Sequence, residues 1–415
     1  MKIFLDNNSS TRVDDQVIEA MMPYFTKFIS PPSSDYGHAF GVEAKQALDS
    51  AREIIAKKIN ADFKEIVFTS GQTESNNHAI KGLALAKITQ NNKLLVASSV
   101  SHSSVLDTMK ALEKYGFTTK LIDVDSTGNV KKAHLTQLLE EKPILVSIPH
   151  ANVEIGTIEN INELAAICHD YNVPIHVDAT FSFCKIPIDV KASQVDLLTM
   201  ASQLLHGPKG VGALYIRKGT KLENLLHGGL QENYKRGGSE NIPGIVGFAK
   251  AVTLYTVDVI QQVQELRNYL WDLLDEKLPE FSITGPTKRE QRLPNHLSLV
   301  IAYVEGESLL LHLDMLGFMI ATGSACSSKR LKASHVLTAI GLPQEISHGS
   351  LRIGLSKYNT REEIEKFVDQ LVIVVKRLRD MSPLNAELMK EWMEQKARGE
   401  VEEDHNHHDV ILEET

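Results

Sequence analysis

Two stretches of this chain combine residue types that could do chemistry. The first is ATGSACSSKRLKASHVL, residues 321–337, which places Cys326 among glycine, alanine and serine with Lys329, Arg330 and Lys332 close behind. Small neighbours leave a thiol exposed, and nearby cations favour the thiolate, which is the nucleophilic and metal-binding form. The two other cysteines, Cys168 in ELAAICHD and Cys184 before KIPIDV, sit in apolar contexts and read as core. There is no CxxC pair, so neither a disulfide framework nor a self-sufficient metal site is indicated. The second stretch is FTSGQTESNNHAIKG, residues 68–82, where Gly71 and Thr73 stand between an apolar strand and a helical pattern. Unpaired N–H groups and the helix dipole at such a junction suit an anion, a phosphate in particular.

The elements that position these residues follow from apolar periodicity. Strands are expected at 65–69, 94–97, 120–124, 144–148, 175–178 and 196–200, alternating with helices that begin near Thr73, Ser103, Leu135 and Asn162. Alternation of this kind, with Val/Ile/Leu-rich strands, points to a mostly parallel sheet covered on both faces. Ligands of such sheets sit beyond the carboxyl ends of the strands, where the chain puts Ser70, Gly71, His102, Asn152 and Asp178. Further helices are expected from Asp15 to Phe25, from Val42 to Ile59, from Ile245 to Glu276 and from Thr360, whose hydroxyl forms a capping box with Glu363. The prolines of the run 30–34 exclude helix there. Later strands are expected at 297–301, 317–321 and 350–355. The glycine-rich run 227–244 reads as a functional loop or a subunit contact.

The chain has 415 residues, 42% of them hydrophobic, which suggests two or three globular domains. A net charge of −9 with interspersed signs argues against nucleic acid as the main partner. No window is apolar enough for a membrane span and the N-terminus lacks a signal-peptide pattern, so a cytoplasmic protein with no membrane partner is expected. Beyond Pro383 the composition is acidic. That tail is either solvated or, through His405, His407 and His408 with Asp404 and Asp409, a divalent-metal site.

The segment 195–215, VDLLTMASQLLHGPKGVGALY, resembles the cofactor-lysine segment of the class V pyridoxal-phosphate (PLP) enzymes, in particular the cysteine desulfurases of the NifS/IscS type. The family reads Ser-x-His-Lys shortly before His-Gly-Pro-Lys-Gly-Val-Gly, and its lysine holds PLP as a Schiff base. Here Leu204 stands at the lysine, Gln203 at the histidine and Ala201 at the phosphate-touching serine. A leucine forms no imine. Lys209 of GPKG stands beside the Schiff-base lysine in the family and is a poor substitute for it. The resemblance extends to residues 68–82, against the family's Thr-Ser-Gly-Ala-Thr-Glu-Ser-Asn-Asn, with Gln72 as the one departure. In HANVEIG, residues 150–156, Val153 replaces an amide near the ring, and in DATF, residues 178–181, Phe181 replaces the amide that would bond the ring hydroxyl. Val153, Phe181, Ala201, Gln203 and Leu204 are five departures at one expected pocket.

Other family roles carry over onto matching residues. His102 corresponds to the histidine that stacks on the pyridine ring and takes part in acid/base steps, or it is structural. Asp178 corresponds to the carboxylate on the ring nitrogen, or it caps the next turn. Asn152 and Arg352 are expected on the substrate side, Arg352 as a carboxylate clamp or else a surface ion pair. Arg236 and Ser239 match the loop that reaches the other subunit's phosphate in the dimer. Cys326 matches the cysteine that carries sulfur as a persulfide.

The resemblance implies an α/β protein of PLP-dependent transferase fold type I. Segment 1–14 is expected to pack with the small domain, 15–258 to form the large domain on a mostly parallel seven-stranded-type sheet, 259–384 to form the smaller C-terminal domain with the Cys326 loop, and 385–415 to be the acidic tail. It implies a homodimer and a sulfur-acceptor or iron–sulfur scaffold partner. Three functions stay open. One is a desulfurase-like pseudoenzyme that lacks covalent PLP and uses Cys326 as a persulfide carrier or as a ligand to an iron–sulfur cluster shared with a partner. The others are a conventional PLP-dependent desulfurase acting on L-cysteine, and a non-catalytic subunit paired with an intact paralogue.

Overall fold

Residues 2–323 and 334–381 are described by the computed structural model. The strands in chain order are β1 (Ile3–Phe4), β2 (Ile66–Thr69), β3 (Leu94–Ser98), β4 (Thr118–Ile122), β5 (Leu145–Pro149), β6 (Ile175–Asp178), β7 (Leu197–Ala201), β8 (Gly212–Ile216), β9 (Phe281–Ile283), β10 (His296–Ile301), β11 (Phe318–Met319) and β12 (Ser350–Gly354). Seven of them form one sheet in the order β2-β8-β7-β6-β5-β3-β4, in which only β8 runs against the rest. Alternate strand residues divide between the two faces. Val96, Val146 and Ile148 join a core with Phe183 and Phe248, whereas Leu95, Ala97 and Leu145 join another with Ile80, Leu83 and Val105. Burial on both faces explains why these strands read as continuous apolar runs.

The parallel register brings the strand ends to one edge. Pro149 pairs with Asp178 and Asp178 with Thr199, while Gly212 at the start of β8 lies between Ala201 and Thr69. No side chain fits at Gly212, because a Cβ there would lie 2.7 Å from the Gly71 Cα. The turns after β2, β3, β5, β6 and β7 therefore converge on one site.

A second core is built from the antiparallel sheet β12-β10-β9 and the helices Val257–Lys277 and Arg361–Met381. Leu270, Leu299, Ile353, Phe367 and Leu371 pack within it, joined by Ile3 and Leu5 from the N-terminal segment. β1 pairs in parallel with β11. The capping box of the last helix forms as expected: the Glu363 N–H donates to Thr360 Oγ1 and the Thr360 N–H to Glu363 Oε2, both at 3.3 Å.

The structure corrects several boundaries. The expected helix 245–276 is two helices, Ile242–Leu254 and Val257–Lys277, bent by 71°. Thr256 takes an extended conformation and caps the second, an interruption hidden because apolar spacing continues on both sides. The helix expected over 15–25 stops at Met21, since Pro23 has no N–H to continue it, and restarts as Pro23–Thr26. The proline run contains a short 3-10 turn, Pro32–Ser34, because proline is tolerated in a first turn. β4 begins at Thr118 rather than at residue 120. Among the described residues no single helix is long and apolar enough to cross a membrane.

Candidate active site

Asp178 ends β6 at the floor of the site and is buried. Its carboxylate is engaged by the chain itself. Gln72 Nε2 and Asn76 Nδ2 both donate to Oδ2 at 2.8 Å, and the Thr180 N–H donates to Oδ1 at 3.0 Å. Gln72 and Asn76 stand one turn apart at the start of the helix Gln72–Ala86, so they present their amides on one face. Asn76 Nδ2 also donates to Ser104 Oγ (2.8 Å), which lies 2.8 Å from His102 Nδ1. His102 caps the helix Ser103–Leu112, its Nδ1 accepting the Ser104 N–H, while its ring lies beside Phe181 with centroids 6.5 Å apart and planes at 46°. Asp178 and His102 thus have the structural uses that their sequence contexts allowed. That does not remove the functional ones.

Leu204 is 1% exposed. It packs in a small apolar cluster with Ala151, Phe181 and Leu293, against which Val153, Ile158 and Ile186 also rest. Three of the five departures noted in the sequence, Val153, Phe181 and Leu204, are therefore one packing unit. Ala201, also fully buried, ends β7. The turn that carries Leu204 is strapped by the N-terminal segment. The Thr11 N–H and hydroxyl both donate to the Gln203 carbonyl (3.0 and 2.8 Å), the His206 N–H donates to Thr11 Oγ1 (2.9 Å), and the Asp14 N–H donates to the His206 carbonyl (2.9 Å). His206 holds a left-handed backbone, φ 61°, and its Nδ1 donates to the Arg12 carbonyl at 2.9 Å. Asp14 in turn accepts from Lys357 and from the Tyr358 hydroxyl (2.8 Å), which ties this strap to the small domain. Burial alone would raise its pKa, but Lys357, Tyr358 and the Gln16 N–H together outweigh it and hold Asp14 at about 2.

The opposite wall is polar. Arg352 on β12 donates to Ser9 Oγ at 2.8 Å and lies 3.4 Å from Asp6 Oδ1, while its buried Nε has no hydrogen-bond partner among the described residues. It lies close to Glu154, Gly323, Ser298 and Ser350. Burial pushes Glu154 up to about 7, and its Oε2 accepts from the Ser334 hydroxyl at 2.7 Å. Asn152 is turned into the local backbone, donating to the Val100 carbonyl (2.9 Å) and accepting from the amides of Glu154 and Ile155. Gly71 and Thr73 stand at the start of the helix Gln72–Ala86, with Thr73 exposed. Arg236 donates to Glu74 Oε1 at 2.9 Å, and Ser239 is exposed nearby in sequence. Cys168 and Cys184 are buried, as their contexts suggested, and burial pushes both thiols up to about 12. Cys326 and the histidine-bearing tail lie outside the described residues.

Three features escaped the sequence reading. Gln72 was visible as a departure in the anion-site segment, but its partner lies on β6. Lys185 is a buried amine that donates to the Phe181 carbonyl at 3.1 Å, with burial bringing it down to about 8. The strap from Thr11 to Asp14 had no sequence signal beyond its polar residues.

Residues 3–367 match the family described as aminotransferase class-V. The chain belongs to that family. It is 45% identical over 389 residues to "Cysteine desulfurase IscS" of Dictyoglomus turgidum, covering 93% of this chain and 98% of that protein. It is 44% identical to the protein of the same name from Methanosarcina thermophila, covering 92% and 94%. A solved structure titled "NIFS-LIKE PROTEIN" superposes with a TM-score of 0.83 at 36% identity, over 91% of this chain and all of that one. The fold is accordingly that of the NifS-like class V proteins, with the expected mostly parallel sheet, and PLP is the cofactor expected of such a family.

Proposed function

We propose that this chain is a sulfur-transfer protein of the cysteine desulfurase type, serving iron–sulfur cluster assembly, that does not hold PLP covalently. The observation that carries this reading is Leu204, an aliphatic side chain 1% exposed inside an apolar cluster. A buried leucine offers no amine to the cofactor; Lys209 stands five residues further along the same connection, and Lys185 belongs to the turn after β6. Cys326 is the group that acts. As a thiolate it attacks the terminal sulfur of a donor persulfide, the donor's own thiolate leaves, and the sulfur passes on to an acceptor with no net oxidation. In the same role it ligates iron with thiolates from a scaffold partner, since one cysteine cannot supply the four-thiolate set of an ordinary cluster. The protein is read as a cytoplasmic homodimer, with Arg236 and Ser239 in the subunit-facing loop and Arg352 as the clamp for an amino-acid carboxylate. Anaerobic co-purification with an iron–sulfur scaffold protein is expected to give a coloured complex that Cys326→Ser abolishes; colour unaffected by that substitution would remove Cys326 from the site.

Relatives of 40–45% identity named as cysteine desulfurases favour a second reading, a conventional desulfurase that forms L-alanine and an enzyme persulfide from L-cysteine. The two readings separate on Leu204→Lys. Under the first, sulfide release from cysteine with added PLP stays far below that of a variant that also carries Val153→Asn, Phe181→Gln, Ala201→Ser and Gln203→His. Neutral hydrogen bonds of about 0.5–1.5 kcal/mol each, taken together, amount to orders of magnitude in cofactor affinity. Full activity from the single change would favour the second reading.

A further inference from the structure

We infer that the chain fills its own cofactor pocket, with Gln72 and Phe181 standing in for the two recognition contacts of a pyridine ring, so that the pocket is closed to PLP even as a non-covalent ligand. This goes beyond the absence of an anchoring lysine, on which it builds, because a lysine-free site could still bind the free aldehyde. The ring-nitrogen contact is taken by Gln72, whose amide Nε2 lies 2.8 Å from Asp178 Oδ2, alongside the Asn76 amide on the same oxygen. A pyridinium N–H would have to compete with a charge-assisted hydrogen bond that the helix Gln72–Ala86 presents without reorganisation. The stacking contact is taken by Phe181. Its ring pairs with His102 at 6.5 Å, within the usual range for aromatic pairs, and its other neighbours are Leu204, Ala151 and Leu293.

The two substitutions act on different atoms of one ligand and come from different segments. Gln72 belongs to the turn after β2 and Phe181 to the turn after β6, with Leu204 supplied by the turn after β7. Opening the pocket requires expelling an aromatic ring and an aliphatic side chain from a shared cluster and breaking an internal bond to a carboxylate. By contrast, the helix start at Gly71 and the exposed Thr73 remain accessible to solvent. The Glu74 carboxylate, which accepts the Ser70 N–H at 2.7 Å, stands at that helix start, so the closure concerns the ring alone.

Titration of the purified full-length protein with PLP, followed by visible circular dichroism, tests this without reference to activity. The wild type is expected to induce no saturable band at the absorbance of the ring; a saturable band would overturn the closure. A pair of variants isolates Gln72. Phe181→Gln with Leu204→Lys opens the slot and restores the amine, and the same pair with Gln72→Ala also frees Asp178. The triple variant is expected to bind PLP roughly tenfold or more tightly than the double, as for a competing hydrogen bond to a charged group. Equal affinity in the two would show that Gln72 is no competitor. Far-UV circular dichroism of each variant establishes that it is folded, and the wild-type titration stands whether or not the variants fold. A chain whose Cys326 carries no sulfur but whose pocket stays dark would sink the sulfur-transfer reading and leave the closure intact.

Discussion

The two walls of the cleft differ in how their charged groups are partnered. On the large-domain floor the Asp178 carboxylate is answered by Gln72, Asn76 and the Thr180 amide, and His102 by Ser104, while Leu204 and Phe181 pack as core; Asn76 Oδ1, Thr180 Oγ1 and Ser202 Oγ stay without a partner among the described residues. On the small-domain wall the charged group Arg352 keeps a buried Nε without a partner among the described residues. Buried donors are almost always paired, and exceptions concentrate where a ligand or a strain reservoir is needed. On the floor the carboxylate and the imidazole are spent on partners within the chain. On the other wall a guanidinium nitrogen keeps its donor capacity unspent.

The internal pairing and packing of the floor make stability the most sensitive readout. Leu204→Ala is expected to cost about 2–5 kcal/mol in urea unfolding, the range for a buried leucine whose neighbours cannot collapse into the space. A pocket built to hold a ligand would lose almost nothing, and a cost below about 1 kcal/mol would erase the contrast between the walls. Asp178→Ala is expected to cost about 2 kcal/mol, because the Gln72 and Asn76 amides lose a shared acceptor. Arg352→Gln is expected to cost less than half as much, since its bonds to Ser9 and Asp6 are partly solvated, and to show instead as weakened binding of L-cysteine by calorimetry.

Most of the positioning was legible in the sequence and part of the site was not. Strand–helix alternation placed Gly71, His102, Asn152 and Asp178 at one sheet edge because fully buried parallel strands must be continuously apolar. Leu204 and Phe181 were legible as losses, being apolar residues in otherwise polar motifs. That they form one cluster with Leu293 was not, since Leu293 comes from a distant segment and only the fold brings it there. Gln72 shows the same limit: the sequence marks it as a departure beside Gly71 and Thr73, but its amide is spent on a carboxylate 106 residues away that only the fold brings near. The bend between Leu254 and Val257 was hidden for a different reason, because both helices keep apolar spacing and only Thr256 marks the break.

The smallest expected effect concerns the strap that joins the walls. Asp14, lowered from 3.8 to about 2 chiefly by Lys357 and Tyr358 against the opposing effect of burial, adds stability that is fully present above its unfolded pKa. As pH falls through about 4 toward 2 the carboxylate is protonated and that contribution is lost. The melting temperature is expected to drop across that window more steeply in the wild type than in Asp14→Asn; parallel profiles would show that the strap does not couple the 203–206 turn to Lys357.

The central claim is that sulfur reaches Cys326 without cofactor chemistry in this chain. Mass mapping of the Cys326 peptide tests it most directly, after incubation with a protein persulfide donor and, separately, with L-cysteine plus PLP. One added sulfur atom is expected from the persulfide donor and none from L-cysteine. Sulfur on Cys326 from L-cysteine alone, with L-alanine formed in equal amount, would contradict the account.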